Sequence, residues 1–173
     1  PTPQQIEFLS KLKLIGHNCK RYDNPMCYAR MMGWNEEQLF NLSSKSLISN
    51  GTNRYAVPFM KDSENFSYAD TYDYASAANK MSLKKLEYKM PAELKEKYNY
   101  THSENEWPWD QSVPKEKWPE IAAYCKNDVR ATRAAHHYLE PDWIARQILA
   151  VIAGMKVNDS TNSLTTRIIF VLN

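Results

Sequence analysis

Two short segments carry side chains of the kinds that bind metal ions and activate water. One of them, HNCKRYD at residues 17–23, directly follows an apolar run, and the other, YCKND at residues 124–128, lies within a helical pattern. Tyr124 and Asp128 are four positions apart, so they share one face of a helix, one turn from each other. A carboxylate and a phenol on one face can serve a metal ion and the water bound to it.

These segments resemble two motifs of the DEDD superfamily of 3′–5′ exonucleases, whose members have a DnaQ-like, RNase H-like fold. Asn18, Tyr22 and Asp23 match the second motif of that family, in which an Asn precedes an aromatic residue and an Asp. Tyr124 and Asp128 match the third motif of the tyrosine subclass, Tyr-x-x-x-Asp. Each motif is short, and it is their order, their spacing and the elements around them that carry the resemblance.

The sequence between and after the two motifs is also similar to the family. DTYD at residues 70–73 and MSLKKL at residues 81–86 resemble the strand, the helix and the S-L-x-x-L helix that connect the motifs. Residues 152–170 resemble, more loosely, a C-terminal extension of phage-encoded members. The resemblance therefore covers most of the chain, and it is closest over residues 5–140.

The resemblance implies a metal-dependent exonuclease that acts on DNA 3′ ends in phage-type replication or repair. Asp23 and Asp128 would be ligands of Mg²⁺ or Mn²⁺, and Tyr124 would orient the attacking water, so these three are the catalytic candidates. Asn18 and Tyr22 would bind the substrate, a single-stranded DNA 3′ end. A polymerase or another replication protein would be the natural partner, in the cytoplasm of the host cell.

The first motif of the family, Asp-x-Glu on the first strand, has no counterpart in this sequence. The chain starts at the helix that normally follows that strand, and Glu7 within this helix belongs to no Asp-x-Glu pair. In the family, four carboxylates hold two metal ions. Asp23 and Asp128 alone would hold at most one hydrated Mg²⁺ weakly, because that ion keeps most of its waters when ligands are few. We therefore expect the isolated chain to be inactive or strongly impaired as a nuclease.

Other interpretations stay open beside the enzymatic one. The chain could be a non-catalytic remnant that binds nucleic acid or a protein partner, with a second copy or a partner covering an open sheet edge. It could also be a proofreading fragment of a larger polymerase. Taken singly, each aspartate could also have a purely structural role. Asp23 could begin the helix that contains Pro25, and Asp128 could pair with Lys126 or Arg130 on a solvated face.

The composition excludes some broad classes of protein. Of the 173 residues, 43% are hydrophobic and 24% charged, which are ordinary values for a globular domain and exclude a predominantly disordered chain. No apolar run approaches the roughly 18 residues of a membrane span. The three cysteines are an odd and scattered set, which predicts reduced thiols in a cytoplasmic setting. The net charge of +2 predicts that any contact with nucleic acid is local.

The local patterns predict an alternation of helices and short strands, typical of an α/β layered domain. The predicted strands lie at about residues 12–17, 68–72 and 165–172. The predicted helices lie at about residues 3–11, 25–33, 35–40, 73 onward, 83–90, 119–140 and 142–153, with loop at 41–67 and an irregular insertion containing one helical turn at 91–117. With the resemblance, we expect an N-terminally incomplete DnaQ-like core at residues 1–140, lacking the first strands, and a helix–strand extension at residues 141–173.

Overall fold

The structure, a computed structural model, describes residues 1–48, 57–74, 80–103, 107–108 and 111–170. Most of these residues are helical, and their two short strands pair in parallel. The chain is thus helix-rich with a small parallel sheet, in agreement with the general α/β class. It divides into two compact units, Pro1–Asp70 and Thr71–Asn173.

The first unit contains both described strands together with short helices. In chain order its elements are α1 (Pro3–Ser10), β1 (Ile15–Gly16), a 3₁₀ turn (Cys19–Arg21), α2 (Asp23–Met31), α3 (Glu36–Asn41), a π-helix (Leu42–Ile48), α4 (Met60–Ser63) and β2 (Ala69–Asp70). The elements of the second unit are helical. They are a 3₁₀ turn (Thr71–Asp73), α5 (Leu83–Lys89), α6 (Ala92–Tyr98), a 3₁₀ turn (Lys115–Lys117), α7 (Trp118–Tyr138), α8 (Glu140–Ala153) and α9 (Thr161–Phe170).

Two capping boxes begin α1 and α3, as the sequence predicts. The Thr2 hydroxyl accepts from the Gln5 N–H at 3.3 Å, while the Gln5 amide oxygen accepts from the Thr2 N–H at 2.8 Å. Asn35 and Gln38 form the same reciprocal pair at 2.9 Å in each direction. Each box satisfies backbone N–H groups that a helix start otherwise leaves unpaired. The predicted helices 83–90, 119–140 and 142–153 are also confirmed within one or two residues at most ends.

The two strands are shorter than predicted, with two residues each. Ile15 pairs with Ala69 and Gly16 with Asp70. A hydrogen-bonded turn follows α1, in which the Leu12 N–H donates to the Leu9 carbonyl at 2.9 Å. The first strand therefore begins at Ile15 and not at residue 12 as predicted. A 3₁₀ turn follows β2 directly, and another begins at Cys19, separated from the end of β1 by two residues, so neither strand continues. Because the strands run in parallel, their carboxyl ends lie at one edge of the sheet.

The prediction of loop at residues 41–67 is confirmed at residues 57–59 and 64–67, which are turns and bends, and is wrong for the remaining described part of that range. Residues 42–48 form a π-helix and residues 60–63 a turn of α-helix, while the rest of the segment up to residue 56 lies outside the described residues. Leu42 and Leu47 are five positions apart, and the wider π turn brings both into one core with Ala29. Polar residues between the two leucines concealed this period in the sequence.

The predicted strand at residues 165–172 is also wrong, because Thr161–Phe170 is helix α9. Leu164 is 2% exposed and packs with Ala150 and Ala153 of α8, and Ile168, one turn later, packs against the same cluster. The Ser160 hydroxyl accepts from the Ser163 N–H and supports the helix start. Burial of one helical face outweighs the β-branched composition that suggested a strand. The C-terminal segment is therefore helical where the structure describes it.

The region at residues 91–117 is more regular than predicted, since α6 has two helical turns. Asn99 caps the C-terminal end of α6, and its φ of 48° lies in the left-handed region. The helix predicted from Asp73 onward falls on residues 75–79, outside the described residues, after a 3₁₀ turn. Among the helices described, none has an apolar run long enough to cross a lipid bilayer.

Gly16 is required by the turn that follows β1. A Cβ at this position would lie 2.6 Å from both Cβ and Sγ of buried Cys19. We expect Gly16→Ala to lower the free energy of unfolding by about 1–3 kcal/mol, measured by urea denaturation. Cys19→Ala removes Sγ and leaves Cβ, so adding Gly16→Ala to that variant should still destabilise it. An unchanged free energy in Gly16→Ala would contradict this contact.

Candidate functional site

A buried aspartate at the carboxyl edge of the sheet organises the first candidate segment. Asp70 ends β2 and is 4% exposed, and its carboxylate accepts from the backbone N–H of Asn18 at 2.7 Å and of Lys20 at 3.2 Å. Asn18 has a φ of 56°, a left-handed conformation that Asn adopts more readily than most residues. The Asp70 carboxylate therefore holds the loop that leads to Asp23.

Asp23 begins α2 beside this carboxylate. Desolvation raises the pKa of the Asp23 carboxyl, and the negative charge of Asp70 raises it further. A hydrogen bond from a backbone N–H partly opposes this shift. The side chain itself reaches the surface. A cation next to Asp23 would reduce the repulsion between the two carboxylates and would favour the ionised form.

The other residues of the second motif lie near Asp23 in the chain and differ in exposure. Tyr22 is 39% exposed, and its hydroxyl lies 2.8 Å from the Ser43 hydroxyl of the π-helix. Asn18 is exposed as well. The buried amide of this region is instead Asn24, which donates to the Ser67 hydroxyl at 2.9 Å. Contact of Asn18 and Tyr22 with a substrate stays a prediction.

Tyr124 and Asp128 meet a single ammonium group in the second unit. Both residues lie in α7, and Lys84 of α5 donates to Asp128 Oδ1 at 2.8 Å. The same Nζ atom is 5.2 Å from the centroid of the Tyr124 ring, within the range of a cation–π contact. Burial, with the charge of Asp128, raises the pKa of the Tyr124 phenol, while Lys84 opposes the shift. The phenol is therefore protonated at neutral pH.

The Lys84 ammonium also reaches a fully buried carboxylate. It lies 3.2 Å from Oε1 of Glu87, which is 0% exposed, and Glu87 Oε2 lies 2.7 Å from His102 Nδ1. His102 Nε2 in turn lies 2.9 Å from the exposed Tyr88 hydroxyl. Burial lowers the pKa of Lys84, but hydrogen bonds and charges of Asp128 and Glu87 outweigh it and raise that pKa overall. The single Lys84 ammonium thus forms ion pairs with both Asp128 and Glu87.

Sequence reasoning missed both buried carboxylates. The sequence pattern around Asp70 predicts only a strand, although a carboxylate at the end of a parallel strand is a common ligand position. Glu87 is three residues after Lys84, a spacing typical of a solvated ion pair on a helix surface. Its burial depends on α7 and on the segment that carries His102, which no local pattern reveals.

The two carboxylates that the resemblance assigns to a divalent cation differ in their fit to one. Asp23 reaches the surface and has an acidic neighbour, so its oxygen donors suit a cation. Asp128 does not fit as arranged, because the Lys84 ammonium already lies 2.8 Å from its Oδ1 and would repel a divalent cation on the same carboxylate. In the part of the chain that the structure describes, no group of three His, Cys, Asp or Glu side chains is placed to hold a metal ion.

The structure thus brings Asp23 close to Asp70, and Tyr124 close to Asp128. The first pair belongs to the unit Pro1–Asp70 and the second to the unit Thr71–Asn173, and convergence of the two pairs into one pocket stays a prediction. No protein-family model, curated protein or solved structure matches this chain.

Cys19 should make the stability of the chain depend on alkaline pH. Burial, aided by the charge of Asp70, raises the pKa of its thiol from 9.0 to about 12. The unfolded thiol loses its proton near pH 9 and the folded thiol keeps it, so the contribution to stability is complete below pH 9 and falls as the pH rises toward 12. We expect unfolding free energies at pH 9–11 to fall more steeply with pH than in Cys19→Ala, by up to about 1.4 kcal/mol per pH unit. The control is Cys125→Ala, at an exposed thiol, which should leave the dependence of the unfolding free energy on pH as it is in wild type. Equal slopes in wild type, Cys19→Ala and Cys125→Ala would refute the role of Cys19.

Loss of the Glu87 carboxylate should destabilise the second unit. Glu87→Ala leaves the Lys84 ammonium and His102 without their buried partner, and we expect a loss of about 3 kcal/mol in urea denaturation. Glu87→Gln keeps the size of the side chain and one acceptor oxygen, so its loss should be smaller. The matched control is Glu96→Ala at an exposed position of α6, which should change stability by less than about 0.5 kcal/mol. Equal effects at both positions would contradict the network.

Proposed function

We propose that the chain is a DnaQ-like 3′–5′ exonuclease domain with an RNase H-like fold, which acts on DNA 3′ ends with Mg²⁺ or Mn²⁺. One observation carries the proposal. Asp23 follows β1 at the carboxyl edge of a parallel strand pair, beside the end of β2, and this edge is where α/β domains place their functional sites. The proposal includes a role in phage-type DNA replication or repair.

The proposed division of work follows from the state of each side chain. A divalent ion at such a site would activate water and stabilise the leaving oxygen. Asp23 would supply one carboxylate for it, and Asp128 would supply a second once Lys84 had withdrawn from it. Tyr124 keeps its proton at neutral pH, so it orients water by hydrogen bonding and does not remove a proton from it. Exposed Tyr22 offers a ring on which a terminal base can stack.

A second candidate function is binding of a protein partner without catalysis. The exposed face of α8 carries Ile144, Ile148, Val151 and Ile152, which are 50%, 54%, 82% and 53% exposed. These positions recur at helical spacing, and exposed apolar patches of this kind mark interaction surfaces. This face would suit a polymerase, another replication protein or a second copy of the chain. If the chain is the proofreading part of a larger polymerase, the face would suit the rest of that polymerase.

Metal-dependent binding of a DNA 3′ end separates the two candidates. The probe is a fluorescent single strand whose 3′-terminal linkage is a phosphorothioate, which resists hydrolysis, and binding is measured by anisotropy with Mn²⁺ or with EDTA. We expect Mn²⁺ to strengthen binding by roughly tenfold, because Asp23 would hold the ion and the positive charge of the ion would attract the terminal phosphate. Asp23→Asn should abolish this gain, and with EDTA it should bind no more weakly than wild type, because a negative charge is removed.

Two controls complete this test. Asp62→Asn removes an exposed carboxylate elsewhere in the first unit and should keep the response to Mn²⁺. A hairpin whose 3′ end is paired should compete less well than the single strand. DNA binding that does not respond to Mn²⁺ would refute the exonuclease proposal and favour a non-catalytic remnant that binds nucleic acid. No DNA binding at all would also refute it and would favour the partner-binding function.

A further inference from the structure

We propose that the Lys84 ammonium is a tethered counterion of Asp128 that competes with the divalent cation for this carboxylate. The inference rests on the proposed function, because it concerns the third-motif aspartate of that site. It starts from the disagreement between the role assigned to Asp128 and its surroundings. A carboxylate expected to bind a metal ion instead accepts a hydrogen bond of 2.8 Å from a lysine.

The contacts of Lys84 identify it as part of this site and distinguish it from a mobile surface lysine. Its ammonium touches the carboxylates of Asp128 and Glu87 and lies over the face of the Tyr124 ring. Its side chain is only 25% exposed. Both third-motif residues therefore contact the same positive charge, which already occupies one oxygen of the Asp128 carboxylate.

Glu87 explains why the ammonium remains there. This glutamate is fully buried, and its second oxygen is held by His102, so its position is fixed. A buried carboxylate without a cation is strongly unfavourable, and Lys84 supplies the positive charge. The anchor at Glu87 is independent of Asp128. An ammonium has three donors, so Lys84 can release Asp128 and still serve Glu87.

Competition follows from charge. An ammonium and a divalent cation repel each other strongly at the separation that one shared carboxylate allows. Metal binding at Asp128 therefore requires Lys84 to withdraw toward Glu87 and solvent. A chain without this positive charge should bind the divalent cation more tightly, whereas a chain with arginine in its place should not.

Mn²⁺ binding to the full chain tests the inference directly. Free Mn²⁺ is followed by its electron paramagnetic resonance signal during titration of wild type, Lys84→Met, Lys84→Gln and Lys84→Arg. We expect Lys84→Met and Lys84→Gln to bind about tenfold more tightly than wild type, and Lys84→Arg to bind like wild type. Lys85→Met is the matched control, because Lys85 is the exposed neighbour on the same helix, and it should leave the affinity unchanged.

A second change locates the effect at Asp128. Adding Asp128→Asn to Lys84→Met should remove the gain in affinity. Lys84→Gln keeps a donor for Glu87, so it preserves the test if Lys84→Met fails to fold, and circular dichroism identifies the folded variants. The same tighter binding in Lys85→Met would overturn the inference, because the effect would then reflect net charge alone.

The remaining outcomes separate this inference from the proposed function. Equal Mn²⁺ affinity in wild type, Lys84→Met and Lys84→Gln, lost on Asp128→Asn, would overturn the role of Lys84 and leave the exonuclease proposal standing. No Mn²⁺ binding that depends on Asp23 or Asp128 in any variant would overturn both.

Discussion

Burial of a carboxylate is unfavourable by several kcal/mol unless its oxygens are hydrogen-bonded or paired with charge, and both candidate clusters are built around this requirement. Asp70 meets it with the backbone N–H groups of Asn18 and Lys20. Glu87 meets it with the Lys84 ammonium and His102. In each unit, therefore, one buried carboxylate holds a group that lies next to a motif aspartate: the loop that leads to Asp23 in the first, and the ammonium that contacts Asp128 in the second.

Because Asp70 and Glu87 are stabilised by different groups, Asp23 and Asp128 differ in their electrostatic surroundings. Backbone N–H groups satisfy Asp70 without adding a full positive charge, so Asp70 still raises the pKa of Asp23. Glu87 instead retains a lysine, whose ammonium extends to Asp128. Asp23 consequently lies where a cation is favourable, whereas Asp128 already has one. The chemistry of the two motif aspartates thus depends on partners outside the motifs.

The same principle acts at the C-terminal end of the chain. Arg146 is 5% exposed in α8, and its guanidinium donates to the carbonyl oxygens of Val157, Asp159 and Asp73 and to the Thr161 hydroxyl. These bonds fix the connection that leads into α9. A buried charge satisfied by loop carbonyls thus holds the segment whose composition predicts a strand.

The sequence by itself determined the features that depend on near neighbours in the chain. The capping boxes at Thr2 and Asn35, the start of α5 after Ser82 and the shared face of Tyr124 and Asp128 follow from contacts within one helical turn, which residue spacing encodes directly. Tertiary structure alone decided the π-helix at residues 42–48, the helical form of α9 and the burial of Asp70 and Glu87. Each of these depends on contacts between residues distant in sequence, and a sequence pattern carries no record of which distant group will neutralise a charge or cover an apolar face.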